Sequence, residues 1–141
     1  MRVVLDTNVL VSGLLSPFGP CAALVRLVAG GALTVCHDGR SLTEYREVPL
    51  RPKLRLDPGL VEAILHLIEV DGEPISATPL RTRLVDRDDE PFLEVALAAR
   101  VEALVTGNTK HFPKEAAHPV TVLGPRAALE RVRGRAGTLE L

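Results

Sequence analysis

The chain has 141 residues, 46% of them hydrophobic and 25% charged, which fits one soluble globular domain with its own core and excludes an intrinsically disordered chain. A formal net charge of −1, 3% aromatic residues and no Trp disfavour a nucleic-acid binder driven by overall charge or by base-stacking platforms, leaving local Arg clusters as the route to phosphate. No run approaches the roughly 18 apolar residues of a membrane span; the N-terminus lacks a signal-peptide layout; and Cys21 and Cys36 form neither a metal spacing nor a disulfide framework, so a cytoplasmic location without membrane attachment is expected.

In chain order, Arg2 to Asp6 reads as a first strand, an apolar run closed by the only acid in the first thirty-seven residues. Thr7 to Leu15 and Pro20 to Ala29 read as helices separated by Ser16-Pro17-Phe18-Gly19, and Gly30-Gly31 is a stop signal. Leu33 to Cys36 is a short second strand. Ser41 to Val48 is helical, with Leu42, Tyr45 and Val48 on one face, and Pro49 breaks it. Asp57-Pro58 is an N-cap followed by proline at the first helical position, opening a helix to about Val70 with Leu60, Ile64, Leu67 and Ile68 inward.

Ile75 to Thr78 is expected as a third strand. Asp88 or Asp89 then caps a helix whose apolar face is Phe92, Leu93, Ala96 and Leu97, with Asp88 favoured as the cap and Glu90 and Glu94 on a solvated face. Ala103 to Thr106 and Thr121 to Leu123 are the fourth and fifth strands, and a last helix follows Gly124-Pro125 to about Arg133. This alternation argues for a mostly parallel sheet of four to five strands with helices on both faces. One domain is expected over residues 1–133, with 134–141 as a frayed tail.

In a parallel sheet every strand ends at the same edge, where open α/β sheets hold their chemistry. Asp6 ends the first strand, Asn108 follows the fourth by two residues, Asp89 opens the helix before it, and Glu44 lies early in the helix after the second. A carboxylate buried at such an edge requires a partner, most simply a cation. Hard divalent ions take oxygen ligands, and a water bound to such an ion can attack a phosphodiester. Asn8, two residues after Asp6, is placed to orient that carboxylate by a hydrogen bond.

The local sequences extend the argument. Asp6-Thr7-Asn8-Val9-Leu10, Leu42-Thr43-Glu44-Tyr45, Asp88-Asp89-Glu90-Pro91-Phe92-Leu93 and Leu104-Val105-Thr106-Gly107-Asn108 together resemble the PIN domain family, in its order and at its spacings, over about Met1 to Arg131. The resemblance is nearest to the toxins of VapBC-like toxin–antitoxin pairs, where Asp6-Thr7-Asn8-Val9-Leu10-Val11-Ser12-Gly13 and Glu44-Tyr45-Arg46-Glu47-Val48 before Arg51-Pro52-Lys53 are typical.

It implies a three-layer α/β/α sandwich and a Mg²⁺- or Mn²⁺-dependent endoribonuclease that leaves a 5′-phosphate and a 3′-hydroxyl. A cognate antitoxin covering the acidic cleft and a homo-oligomer are implied partners. The family's acids map to Asp6, Glu44 and Asp89 as catalytic metal ligands, with its hydroxyl residue at Thr106. Its fourth acid is here Asn108, which keeps a carbonyl oxygen but loses a charge, costing on the order of 1–3 kcal/mol of ion binding. Asp86, Asp88 and Glu90 lie near enough to compensate in part, and Asp88 joins Asn8 as an outer group.

Arg46, Arg51, Lys53 and Lys110 are the candidate RNA contacts. His111 is a candidate to face the cleft. Two rival readings stay open: a non-catalytic RNA- or protein-binding module on the same fold, motivated by Asn108 and the near-neutral charge, and a phosphatase of the haloacid dehalogenase type, which needs a second Asp where this chain has Asn8.

Overall fold

The computed structural model describes residues 1–140, with side chains through Arg135. Five strands form one all-parallel sheet: β1 (Arg2–Leu5), β2 (Thr34–His37), β3 (Glu73–Pro74), β4 (Ala103–Val105) and β5 (Val122–Leu123), in the order β3-β2-β1-β4-β5. Seven helices flank it in a three-layer α/β/α arrangement: α1 (Thr7–Leu15), α2 (Pro20–Ala29), α3 (Gly39–Glu47), α4 (Pro58–Asp71), α5 (Glu90–Ala99), α6 (Lys114–Ala117) and α7 (Pro125–Glu140). The central strands are sealed, with Val3, Val4, Ala103, Leu104 and Val105 all without solvent exposure, which is why they read as continuous apolar runs.

The helix α5 packs against β1, β2 and β4, while α4 lies on β2 and α7 on β4 and β5. Phe92, Leu93, Val95, Ala96 and Ala99 of α5 are buried, so its apolar face is wider than four residues, and Leu97 is only half-buried. No single helix among the described residues is long and apolar enough to cross a membrane.

Several boundaries differ from the sequence reading. The third strand is Glu73–Pro74, not Ile75 to Thr78. Its position is set by Gly72, where a Cβ would lie 2.1 Å from the Ile68 carbonyl oxygen and 2.5 Å from that of Val35, so only glycine lets α4 end against β2. Arg2 then grips Glu73 through two bonds of 2.8 and 2.9 Å, and the proline is tolerated because this is an edge strand.

In α4 the buried set is Val61, Ile64, Leu65 and Ile68, while Leu60 is 45% exposed and Leu67 half-buried, a rotation of the expected face by about one residue. The helix α3 begins two residues early because Asp38 and Ser41 form a reciprocal capping box. The last helix continues past Arg133 to Glu140; the expected frayed tail ends at Leu141, which lies outside the described residues. Cys36 is buried and Cys21 partly so, both free thiols.

Candidate metal centre

The order β3-β2-β1-β4-β5 sends the chain to one side of β1 and then to the other, so the carboxyl ends of β1 and β4 flank the switch point of the sheet. Asp6 follows β1 there and Thr106 follows β4. The Thr106 hydroxyl donates to Asp6 Oδ2 at 2.8 Å, and the Asp6 N–H donates to the Val105 carbonyl at 2.8 Å. Below them the Tyr45 hydroxyl, wholly buried, donates to the Leu5 carbonyl at 2.5 Å and fixes the end of the strand.

Asn8 ties the two loops together. Its Nδ2 donates to Asp6 Oδ2 at 3.3 Å and its Oδ1 accepts from the Gly107 N–H at 3.1 Å. This is the orienting contact expected from its position. Thr106 is fully buried, and its hydroxyl accepts from the Asn108 N–H at 3.0 Å while donating to Asp6. Donating to Asp6 and accepting from Asn108, the Thr106 hydroxyl holds the Asp6 carboxylate in place.

The acids feel one another. Asp6, 6% exposed, has its carboxyl raised above the ordinary range by burial, opposed first by the Thr106 hydrogen bond, with Asp86 adding repulsion. Glu44, in the second turn of α3, is raised by burial and then by the charges of Asp6, Asp88 and Asp89, against an opposing interaction with the Thr7 hydroxyl. Asp89 is raised by burial and by Asp6 and Asp86, and lowered by His111. Residues 6, 44 and 89, far apart in the chain, therefore converge on one edge. Among the described residues neither Asp6 nor Glu44 is ion-paired with Lys or Arg.

The donor set fits a hard divalent ion, which takes carboxylate oxygens and keeps several waters. Thr7 is 5% exposed, and its hydroxyl lies toward Glu44, the interaction that lowers that carboxyl, without completing a hydrogen bond of normal geometry among the described residues.

A further cluster overlaps this set. Ligand atoms of Asp86, Asp89 and His111 all lie within 4.8 Å of one another, and His111 Nδ1 is 3.0 Å from Asp89 Oδ2. Asp89 is common to both groups. Asn108 is exposed and reaches the centre through its backbone N–H.

Other expected roles shift. Asp88 is exposed and is not the cap of α5; Asp89, the alternative, holds that N-cap position without a side-chain cap bond, and Asp86 caps the preceding 3-10 turn Arg87–Asp89, its Oδ1 accepting from the Asp88 N–H at 2.9 Å. Glu90 and Glu94 do not lie on a solvated face: they are 5% and 6% exposed. Glu90 accepts from the Leu84 N–H and from Arg83, both at 2.9 Å, and those contacts hold its carboxyl below the usual range. Glu94 accepts from the Leu80 N–H at 2.9 Å and from Arg40 at 2.6 Å. Both staple the 75–86 loop, which the spacing of apolar residues could not signal.

Of the basic residues, Arg46 pairs with Glu62 on α4 at 3.5 Å. Arg51 and Lys53 are exposed at the 3-10 turn Pro52–Leu54. Lys110 is exposed beside His111, on a cavity of about 340 Å³ that Asp86, Arg83 and Leu84 also line. Lys110 thus shares a cavity with Asp86 and His111, while Arg46 is engaged by Glu62. Tyr45 and Thr7 were not singled out as site residues by the sequence, since a tyrosine on an apolar helical face and a threonine opening a helix look structural.

Two solved structures share the fold. VapBC2 from Rickettsia felis, solved bound to a DNA fragment from its promoter, matches with a TM-score of 0.58 at 17% identity, covering 88% of this chain and 98% of that one. FitAcB from Neisseria gonorrhoeae matches with a TM-score of 0.56 at 19% identity, covering 89% and 99%. A comparison with curated proteins gives no match. The PIN domain family model matches residues 2–110, from β1 through β4 to the turn that carries Lys110. With that match spanning most of the chain and the acids at the ends of its strands and helices, the chain belongs to the PIN domain family.

Proposed function

We propose that this PIN domain is a metal-dependent endoribonuclease, the toxin of a toxin–antitoxin pair. The observation that carries the reading is the forced proximity of Asp6, Glu44 and Asp89, whose carboxyls are each raised by burial and by neighbouring acids. A protein assembles uncompensated carboxylates only where something else supplies positive charge. Nuclease activity is common in this family, and the sequence resemblance to VapBC-like toxins, with VapBC2 among the structural neighbours, supports the toxin assignment and a cognate antitoxin as partner.

Asp6, Glu44 and Asp89 would hold the ion, with Asn108 as a weaker contributor. Bound Mg²⁺ or Mn²⁺ supplies an activated water and neutralises charge on the phosphate oxygens. Thr106 and Asn8 fix the Asp6 carboxylate through their hydrogen bonds to its Oδ2. Lys110 and the exposed Arg51 and Lys53 are the residues offered to an RNA backbone. Self-association into a homo-oligomer in the cytoplasm completes the proposal.

The test is Mg²⁺- or Mn²⁺-dependent cleavage of RNA by the whole chain and by Asp6→Asn, with a chelator control. Loss of cleavage in the variant is expected; undiminished cleavage discards the assignment. Because Asn108 lacks a charge, a binding module without catalysis is the second reading, and wild-type protein that binds Mn²⁺ and RNA without cutting would select it.

A further inference from the structure

We propose that His111 is itself a metal ligand of this centre, its Nδ1 supplying the donor that Asn108 cannot supply as a carboxylate, and that it biases the site toward Mn²⁺ over Mg²⁺. The proposal rests on the metal-dependent reading above and deepens it. Three observations carry it. Ligand atoms of Asp86, Asp89 and His111 lie within 4.8 Å of one another, a spread that one ion can bridge with small side-chain adjustments. Asp89 belongs to this trio and is also close enough to Asp6 and Glu44 for their charges to act on one another, so the trio adjoins that group. The hydroxyl of Thr7, 5% exposed, faces Glu44 of that same group without completing a hydrogen bond of normal geometry.

The imidazole is delivered by a backbone held at both ends. The Asn108 N–H is bound by the Thr106 hydroxyl at 3.0 Å, and the His111 N–H returns to the Asn108 carbonyl at 3.0 Å. Phe112, 2% exposed, then anchors the far side of the turn in the core. Asp86 is held as the cap of its own 3-10 turn. Neither ligand therefore needs a loop to be ordered on binding, which lowers the entropic cost of capture.

Without an ion, His111 Nδ1 and Asp89 Oδ2 share a hydrogen bond at 3.0 Å. Replacing that proton by a cation lets the ring lone pair and the carboxylate face the same centre. Magnesium demands near-ideal oxygen coordination, whereas imidazole nitrogen suits the borderline transition ions, so a mixed nitrogen–oxygen set favours manganese. The competing role for His111 is to orient Asp89 through the hydrogen bond while all ligands remain oxygen.

The experiment loads the full chain with Mn²⁺ and reads ¹⁴N modulation by pulsed EPR, alongside calorimetric Mn²⁺ and Mg²⁺ titrations of wild type and His111→Ala. Wild type is expected to give nitrogen coupling that vanishes in the variant. Mn²⁺ affinity should fall about tenfold or more, and Mg²⁺ affinity by clearly less. Bound Mn²⁺ without nitrogen coupling, or equal weakening of both ions, overturns the His111 assignment and leaves the nuclease reading intact. Failure of wild type to bind Mn²⁺ at millimolar concentration overturns both. His111 lies half-exposed, with 46% of its side chain accessible, and near-ultraviolet circular dichroism checks that the variant stays folded.

Discussion

Asp6, Glu44 and Asp89 have folded-state carboxyls raised above their ordinary values, which are 3.8 for aspartate and 4.5 for glutamate. An acid whose pKa rises on folding binds its proton more tightly in the native state, so stability falls as pH rises from the ordinary value through the raised one. The metal-free protein is therefore expected to lose stability at this site as pH rises from about 4 through the raised values. Asp6→Asn removes one repelling charge, so in chelator its melting temperature at pH 7 should exceed that of wild type, with the gap closing toward pH 4. Melting curves across that range decide it; a variant less stable than wild type at pH 7 would mean that the repulsion is compensated. Tyr45→Phe acts at the same scale by another route. It deletes the donor to the buried Leu5 carbonyl and is expected to cost about 1–3 kcal/mol in urea unfolding.

At the scale of elements, the 75–86 loop, irregular and mixed in polarity, is held down by two acids that point inward from α5. Glu94 is the stronger case, since it binds both the Leu80 N–H and Arg40. Glu94→Ala should destabilise the fold by about 1.5–3 kcal/mol, the worth of hydrogen bonds to a charged group. It should also open the loop to limited proteolysis, and because Asp86 closes that loop, Mn²⁺ affinity should fall with it. Unchanged cleavage by protease within residues 75–86 would separate the loop from the glutamate. These staples explain what the sequence concealed. Helices announced by Pro20, by Asp57-Pro58 and by the run after Asp89 were legible from caps and period, as were the sealed strands β1 and β4. The two-residue β3 was not, because its place depends on a backbone contact at Gly72 that no periodicity encodes, and the apolar Ile75 puts the expected strand two residues downstream. Acids at 90 and 94 on a buried helix read as solvated because their partners lie in a loop without pattern.

For the molecule as a whole, the parallel order places three acids distant along the chain at one edge, and that convergence was readable once the strands were counted. Which hydrogen bonds hold them required coordinates; Asp86 and His111 were candidates by position, but their grouping with Asp89 was not legible, since side-chain spacing across a turn is invisible in a linear pattern. Convergence also couples ion binding to global stability. Asp6 follows β1, Glu44 rides on α3 and Asp89 leads into α5, so an ion held by all three exists only in the native state. Binding to the folded form alone stabilises it by about 2.7 kcal/mol when free ion is a hundredfold above its dissociation constant. Saturating Mn²⁺ should therefore raise the melting temperature of wild type while leaving Asp6→Asn, already relieved of repulsion, nearly unmoved. Wild type and variant should thus exchange rank when chelator is replaced by metal. Equal metal-induced shifts in the two proteins would mean that the ion binds away from Asp6, and the switch point of the sheet would then lose its claim to the chemistry.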